Sequence, residues 1–324
     1  MPARVAIVGR QFGSRVLAKA FADAGAHIVG LAGGDDWKDL VRLAGIDAVA
    51  ISVPGGAQKA VALEALKAGK AIFCEKPLAE NLDSAREIAA AARRSKRPAV
   101  IDFEFPETTA WTLAEKFSHG KLGRLRHASI VWQIETYANV HRTNNWKRRN
   151  ASGGGTLNNF GSHLFHNVEW LFGRITEISA RVLHDGPGDV SAEMILSLKN
   201  GATVSVSLAA DAFLGSGHRL EAYGSTGSFI LDNPHADYMT GWSLRTATRK
   251  SPKWKLIVKG RAAFKGEDGR IKPISRLAKR FLEAVAARGK AEPSVAAGLR
   301  AQTLIDAARR SDRLKRAVKV PHGR

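Results

Sequence analysis

Three short segments of this sequence carry residue types and spacings that can do chemistry. The first is Gly9-Arg10-Gln11-Phe12-Gly13, which follows an apolar run, Val5 to Val8, and opens a helical pattern. A helix N-terminus entered through glycines offers unpaired backbone N–H groups to a phosphate, so this is a place for a dinucleotide pyrophosphate. Gln11 stands where the usual fingerprint has a glycine, and a plain strand-to-helix turn is the competing reading. Asp35 and Asp36 come just after the second apolar run, where an acid can bond the adenosine ribose and favour NAD. Arg10 beside the glycines could instead hold the 2'-phosphate of NADP, so the cofactor is read as NAD or NADP. The second segment is Glu75-Lys76-Pro77, after the run Ala71 to Phe73. A lysine at the carboxyl end of a parallel strand points into the ligand crevice, where it can bond a nicotinamide and a reacting hydroxyl. Taken alone, the same three residues also read as a solvated turn. The third is Gly153-Gly154-Gly155, leading into a helical stretch in which Asn159 and His163 share one face.

The elements that must position these residues follow from hydrophobic periodicity. Over the first hundred residues, short apolar runs (Val5 to Val8, His27 to Ala32, Ala48 to Val53, Ala71 to Phe73, Val100 to Phe103) alternate with helical patterns. That alternation predicts a doubly wound parallel sheet covered on both faces, the Rossmann architecture. After a helix at Ala110 to His119, period-2 segments predominate: Leu125 to Glu135, Ile175 to Leu183, Ala192 to Leu198, Thr203 to Leu208, Arg219 to Tyr223, Ser228 to Leu231 and Ser243 to Thr248. Strands joined by short glycine-containing turns predict a large, mostly antiparallel open sheet in an α+β domain. The expected domains are therefore 1–120, binding the dinucleotide, and 121–324, binding substrate and partner subunits. Its closing helices, Ile274 to Ala287 and Ala296 to Ser311, are free to pack back on the first domain.

Composition narrows the function classes. The 324 residues are 44% hydrophobic and 25% charged, which is globular composition and excludes extensive disorder. No run has the roughly 18 to 20 apolar residues of a membrane helix, and MPARVAIVG enters a strand pattern without a signal-peptide core, so a soluble cytoplasmic protein is expected. A single cysteine, Cys74, excludes an internal disulfide and any multi-cysteine metal centre; it is read as a core residue. The formal charge is +20, concentrated beyond residue 120, and Arg245 to Arg280 alone holds 13 basic against 2 acidic residues. Such a field attracts phosphates or polyanions, and Lys253-Trp254-Lys255 is its best contact point, although no nucleic-acid-binding motif accompanies it.

The stretch Ile46 to Pro54, followed by Ala65-Leu66-Lys67-Ala68-Gly69-Lys70-Ala71-Ile72-Phe73-Cys74-Glu75-Lys76-Pro77-Leu78-Ala79, resembles the Gfo/Idh/MocA family of nicotinamide-dependent sugar and polyol oxidoreductases. The hallmark of that family is a Glu-Lys-Pro at the end of a fifth strand, matched by Glu75, Lys76 and Pro77. The resemblance implies reversible hydride transfer between a sugar carbinol carbon and the nicotinamide, with Lys76 catalytic and a cis Lys76-Pro77 bond. Pro54 and Gln58 fall at cofactor-side positions, Gln58 where many members have histidine. Gly153 to His163 is similar to the family's glycine triplet and Asp-x-x-x-His helix. His163 then matches the catalytic histidine, removing the hydroxyl proton with help from Lys76. Asn159 replaces the aspartate, and His166 replaces a second expected acid. An amide can orient a substrate but not exchange a proton, so a pseudoenzyme or sensor of the same fold is the alternative.

Trp146, followed by Lys147-Arg148-Arg149, could line a substrate mouth by stacking on a sugar face, and His166 is a further substrate-side candidate. A metal held by His163, His166 and Glu169 is disfavoured, because ligands on successive turns of one helix seldom converge; no metal is expected. The basic second domain points to an acidic or phosphorylated substrate, for instance a nucleotide-activated sugar or a uronic acid. The family resemblance implies a homodimer or homotetramer formed through the open sheet face.

Overall fold

The computed structural model describes residues 1–235, 237–262, 266 and 268–321. In chain order the described elements are β1 (Arg4–Val8), α1 (Ala18–Asp23), β2 (His27–Ala32), α2 (Trp37–Arg42), β3 (Ala48–Ile51), α3 (Gly55–Lys67), β4 (Ala71–Cys74), α4 (Leu82–Ser95) and β5 (Ala99–Ile101). There follow α5 (Thr109–Gly120), β6 (Leu125–Gln133), α6 (Tyr137–Val140), α7 (Ser162–Phe172), β7 (Ile175–Asp185), β8 (Gly188–Leu198), β9 (Thr203–Ala209), β10 (Gly217–Gly224) and β11 (Gly227–Asn233). The chain closes with β12 (Ser243–Thr248), β13 (Ser251–Val258), α8 (Ile271–Ala287), α9 (Val295–Leu314) and β14 (Val318–Lys319). Five-residue π-helical turns, Gly13–Leu17 and Leu157–Gly161, lead into α1 and α7.

The chain packs as two units, Met1–Glu107 with Ala151–Gly153 and Arg270–Gln302, and Thr108–Asn150 with Gly154–Gly269 and Thr303–Arg324. The expected boundary after residue 120 thus falls after Glu107. The reason is α5, whose buried face of Trp111, Ala114 and Phe117 packs on β11, β12 and α7, with the Phe117 ring 6.1 Å from Phe229. In the other direction, α8 belongs to the first unit.

The first unit is a parallel sheet in the order β2-β1-β3-β4-β5, as the sequence predicts for a doubly wound fold. Its central strands, RVAIV, AVAI and AIFC, are apolar without alternation because both faces are covered, and all four residues of β3 and of β4 are buried. On one face Ile7, Val16, Leu17, Phe21 and Phe73 meet Ile274, Leu277, Ala278 and Phe281 of α8. Phe21, Phe73 and Phe281 pack edge to face with centroids 5.1 to 6.2 Å apart. On the other face α3 and α4 cover Val49, Ile51, Ile72 and Cys74.

The second unit is a nine-stranded sheet, β13-β12-β11-β10-β6-β9-β8-β7-β14, antiparallel except where β6 and β9 run parallel. In β6, Leu125, Ala128, Ile130 and Trp132 are buried while the residues between them are not, the period-2 signature of a sheet with one covered face. The strand β13 is a departure from the sequence expectation. Residues 251–258 were read as part of a basic contact surface, yet they pair with β12 as the sheet's edge, and Lys residues on an edge discourage further pairing.

Candidate active site

In a parallel sheet every strand ends on the same side, so the turns after β1, β2, β3, β4 and β5 collect the polar residues of the first unit. The turn after β1 is built for a close approach. Gly9 has φ +140°, and a Cβ there would lie 2.2 Å from the Ser52 carbonyl oxygen; a Cβ on Gly13 would lie 3.2 Å from Ile7 Cγ2. The exposed Gln11 leaves the turn unfilled despite the missing glycine. The Arg15 N–H already donates to the Gln11 carbonyl at 3.0 Å, so the N–H groups left for a pyrophosphate are those ahead of it in the turn. Phe12 is half-buried, with the Arg270 guanidinium 4.7 Å from its ring.

At the end of β2 both Asp35 and Asp36 are exposed, and the one engaged by neighbouring groups is Asp36. Asp36 accepts from the Gly33 N–H at 2.8 Å and pairs with Arg10 at 2.9 Å. The Gly33 N–H first, and then Arg10, hold its carboxyl below the usual range. Arg10, read from sequence as a possible 2'-phosphate ligand, therefore has a carboxylate on it already.

The Glu-Lys-Pro turn follows β4, the fourth strand in chain order, not a fifth. Its Lys76-Pro77 bond is cis, as the resemblance implied. Pro54 precedes α3, and its carbonyl accepts from the Ala57 and Gln58 N–H groups. The Gln58 side chain is buried, and its Nε2 donates to the carbonyls of Glu75, Pro77 and Leu78 at 2.6, 3.0 and 3.0 Å. Those carbonyls belong to a turn with no strand partner, so the amide that satisfies them fixes the backbone around Lys76.

Behind Lys76 are two residues the sequence reading missed, Asp102 and Glu104, just past β5 and only 1% and 3% exposed. Register brings them to Glu75: Cys74 pairs with Ile101, and the Asp102 N–H donates to the Cys74 carbonyl at 2.8 Å. Burial pushes the Asp102 carboxyl well above its usual range, aided by the nearby charges of Glu75 and Glu104, and its proton is given to Glu75. Glu75 is raised as well, again by burial. Burial lifts Glu104 to about 7, against the pull of the Lys76 charge. Acidic residues two apart after an apolar run were the available signal.

The glycine triplet straddles the division between the units, and each glycine answers a different contact. Gly153 belongs to the first unit, where a Cβ would sit 3.1 Å from Glu80 Cα. A Cβ on Gly154 would be 2.1 Å from the Trp146 carbonyl oxygen, and one on Gly155, at φ +85°, 2.1 Å from Asn150 Oδ1. The helix beyond is anchored by Asp189, also missed in the sequence. Its buried carboxylate accepts from the Leu157 N–H at 2.7 Å and from Arg309 at 2.9 Å, placing negative charge at a helix start. His163 lies inside this helix, 1% exposed. Asn159 donates from Nδ2 to the Lys147 carbonyl at 3.2 Å, a bond an ionised aspartate could not make, and so ties the Trp146 loop to the helix.

Around this helix several expected contacts are redirected. His166 is held neutral, its pKa lowered to about 4 by burial, and Glu169 accepts from the Ile175 N–H at 2.9 Å. Trp146 is half-buried; Arg148 pairs with Asp185 at 2.8 Å and Arg149 with Asn144. Beneath the sheet, His218 stacks on Trp132 with centroids 4.2 Å apart, and burial lowers its pKa to about 3. The basic stretch is divided, 245–269 in the second unit and 270–280 in the first. Arg245 pairs with Asp232, Arg249 donates to the Ser225 carbonyl, and Arg280 pairs with Glu107. Arg276 donates to the Glu107 carbonyl. Four of the 13 basic residues of that stretch are therefore committed within the fold.

A glycine turn at a helix start, an acid after β2 and a lysine after β4 define a dinucleotide-binding oxidoreductase. A family profile described as an oxidoreductase family with an NAD-binding Rossmann fold matches residues 17–103, and one described as the GFO/IDH/MocA C-terminal domain matches residues 111–230. An uncharacterized oxidoreductase of Synechocystis is 28% identical over 306 residues, covering 89% of this chain and 82% of that protein. Levoglucosan dehydrogenase of Pseudarthrobacter phenanthrenivorans is 24% identical over 327 residues, covering 88% and 83%. Among solved structures, a levoglucosan dehydrogenase complex with NADH superposes over the full length of both chains with a TM-score of 0.86 at 20% identity. The aldose-aldose oxidoreductase of Caulobacter crescentus complexed with glycerol gives 0.83 at 18% identity over 99% of this chain and 100% of that one. The chain belongs to the Gfo/Idh/MocA family and is an NAD-binding oxidoreductase.

The buried carboxyls set a pH dependence whose sign is fixed. A carboxyl raised from 4.5 to about 7 keeps its proton in the fold at pH values where the unfolded chain has lost it. Stability from Glu104 is therefore full below about pH 4.5 and declines as pH rises through about 7. Glu104→Gln removes that dependence. The unfolding free energy of the wild type relative to the variant should fall by about 2 to 3 kcal/mol between pH 4.5 and 7.5, and a flat difference in denaturation midpoints across that range contradicts the assignment.

Proposed function

We propose that the protein transfers a hydride between a nicotinamide cofactor and a hydroxyl-bearing carbon of a sugar or sugar acid. The observation that carries this reading is Lys76, set after β4 on a turn whose carbonyls Gln58 satisfies. The turn at residues 9–13 would hold the pyrophosphate, Asp36 the adenosine ribose, and the end of β4 the nicotinamide half. The cofactor, when bound, supplies the hydride acceptor or donor. Lys76 and His163 carry proton transfer at the reacting hydroxyl while Asn159 positions the sugar. Support for a sugar comes from relatives named for levoglucosan and aldoses, and from a levoglucosan dehydrogenase complex with L-sorbose. A second reading, dinucleotide and sugar binding without turnover, is favoured by Asn159, whose amide is committed to Lys147 where an acid would exchange protons.

The Arg10–Asp36 pair favours NAD over NADP. With Arg10 neutralised and Asp36 accepting only from donors, a ribose 2'-hydroxyl is matched and a 2'-phosphate is repelled. We further propose a homo-oligomer formed through the open face of the second unit's sheet, where Ser129, Val131, Ser179, Glu193 and Ser207 surround the 55% exposed Ile195.

Three measurements check these statements. Nicotinamide absorbance with a panel of sugars and sugar acids should show turnover that drops by roughly 100-fold or more in both Lys76→Ala and His163→Ala, with dinucleotide binding kept in His163→Ala. Binding without turnover for any sugar favours the second reading. Asp36→Ser frees Arg10 and should shift the NADPH-to-NADH affinity ratio upward by roughly tenfold or more, a gain that Arg10→Ala cancels. Light scattering of Ile195→Glu should give a smaller species than the wild type; equal masses count against the sheet face as the interface.

A further inference from the structure

Glu104 takes no part in the mechanism so far, and its surroundings give it one. Three carboxyl groups, those of Glu75, Asp102 and Glu104, lie at the carboxyl ends of the neighbouring strands β4 and β5, and the charges of Lys76 and Arg270 act on them. With one proton shared between Asp102 and Glu75, and Glu104 partly protonated near pH 7, the cluster holds between one and two negative charges beside the two positive ones, so it can either release or take up a proton. Glu75 Oε1 and Asp102 Oδ1 are shut off from solvent with no hydrogen-bond partner, so acceptor capacity inside the cluster is left over. The remaining groups nearby are committed elsewhere. Gln58 holds the turn carbonyls, Glu107 is paired with Arg280, and burial and the Glu75 charge raise the Cys74 thiol out of exchange.

The strand order says which end of a dinucleotide meets this cluster. Asp36 stands after β2, at one edge of the sheet, and the pyrophosphate turn follows β1, its neighbour. The end of β4 lies two strand spacings, roughly 10 Å, from that of β1 on the side away from β2. With the ribose end at Asp36 and the pyrophosphate at the turn after β1, Lys76 would be the residue to hold the nicotinamide half. In the second unit, position 159 is an amide, His166 is neutral, and the Asp189 carboxylate is engaged by the Leu157 N–H and Arg309.

We propose that Glu104, together with the Glu75–Asp102 pair, is a proton store behind Lys76 whose filling opposes the charge of the nicotinamide. It empties when the oxidised, cationic ring binds and fills when the ring is reduced and neutral. This rests on the oxidoreductase reading above. In the oxidation direction the alcohol O–H bond breaks and its proton forms an N–H bond at Lys76, while Lys76 gives up another N–H proton to a carboxylate oxygen of Glu104. The carbinol C–H bond breaks with its electron pair passing to the nicotinamide, so the alcohol carbon is oxidised and the ring reduced. The store gains one positive charge as the ring loses one, and the buried total is unchanged. Glu104 acts through Lys76 and is a positioning residue for the proton.

The test needs no sugar. Full-length protein is titrated calorimetrically with NAD+ and, separately, with NADH near pH 7 in buffers of different ionisation enthalpy, which reads the protons exchanged on binding. NAD+ should release on the order of half a proton more than NADH does, and the excess should vanish above about pH 9, where the store is already empty. In Glu104→Gln the excess should drop at least threefold with NADH affinity within about twofold of wild type, and Glu104→Asp should restore it. Equal proton release for the two cofactors in the wild type overturns the store, as does an unchanged excess in Glu104→Gln. Should the glutamine variant not fold, the wild-type difference and its retention in Glu104→Asp decide. Failure to bind either cofactor would overturn the store and the nicotinamide reading together, whereas binding of both without a proton difference overturns the store alone.

Discussion

A parallel sheet covered on both faces leaves only the carboxyl ends of its strands for polar work, and the first unit of this protein puts everything there. The strands themselves are apolar throughout, so a polar side chain can enter only at the residue where a strand stops. Glu75 and Asp102 are those residues on β4 and β5, adjacent because the register pairs Cys74 with Ile101. Two carboxyls forced together at the top of a dry sheet cannot both ionise, and one proton settles between them. The acidity of the site is thus a consequence of strand register as much as of residue choice.

The second unit solves a different problem, which is to hold a helix rigidly at its start. A helix N-terminus presents donors with no partner inside the helix, and here a buried aspartate from β8, itself held by Arg309 of α9, takes one of them. The glycine triplet exists because backbone or polar oxygen atoms occupy the space a Cβ would need at Gly154 and Gly155. Asn159 fits the same pattern. The amide has lost the proton chemistry of a carboxylate and gained a donor, which it gives to the Lys147 carbonyl.

Much of this could be read in the sequence and some could not. The alternation of apolar runs and helical patterns is a local signal, and it located the parallel sheet, most of the antiparallel one and the Glu-Lys-Pro turn. What it missed depends on contacts between distant segments. Nothing near Gln58 shows that its amide will face three carbonyls seventeen to twenty residues on. Asp102, Glu104 and Asp189 look like surface acids until strand register and packing bury them. Which of the adjacent acids Asp35 and Asp36 turns back to the Gly33 N–H is decided by the geometry of the bend, which the sequence does not show. The domain boundary failed for a related reason: α5 follows the Rossmann strands in sequence, but its apolar face matches β11 and α7. In β13, frequent lysines outweighed the β-propensity of Trp254, Ile257 and Val258.

The placement of α8 bears on how the chain is made. The sheet face carrying Ile7, Val16, Leu17, Phe21 and Phe73 is covered by Ile274, Leu277, Ala278 and Phe281, which are synthesised more than 160 residues after β5. A ribosome adding about 5 to 20 residues per second leaves that face uncovered for roughly ten to thirty seconds after the five strands have emerged. During that time the nascent sheet presents an aromatic, apolar surface of the kind that chaperones bind.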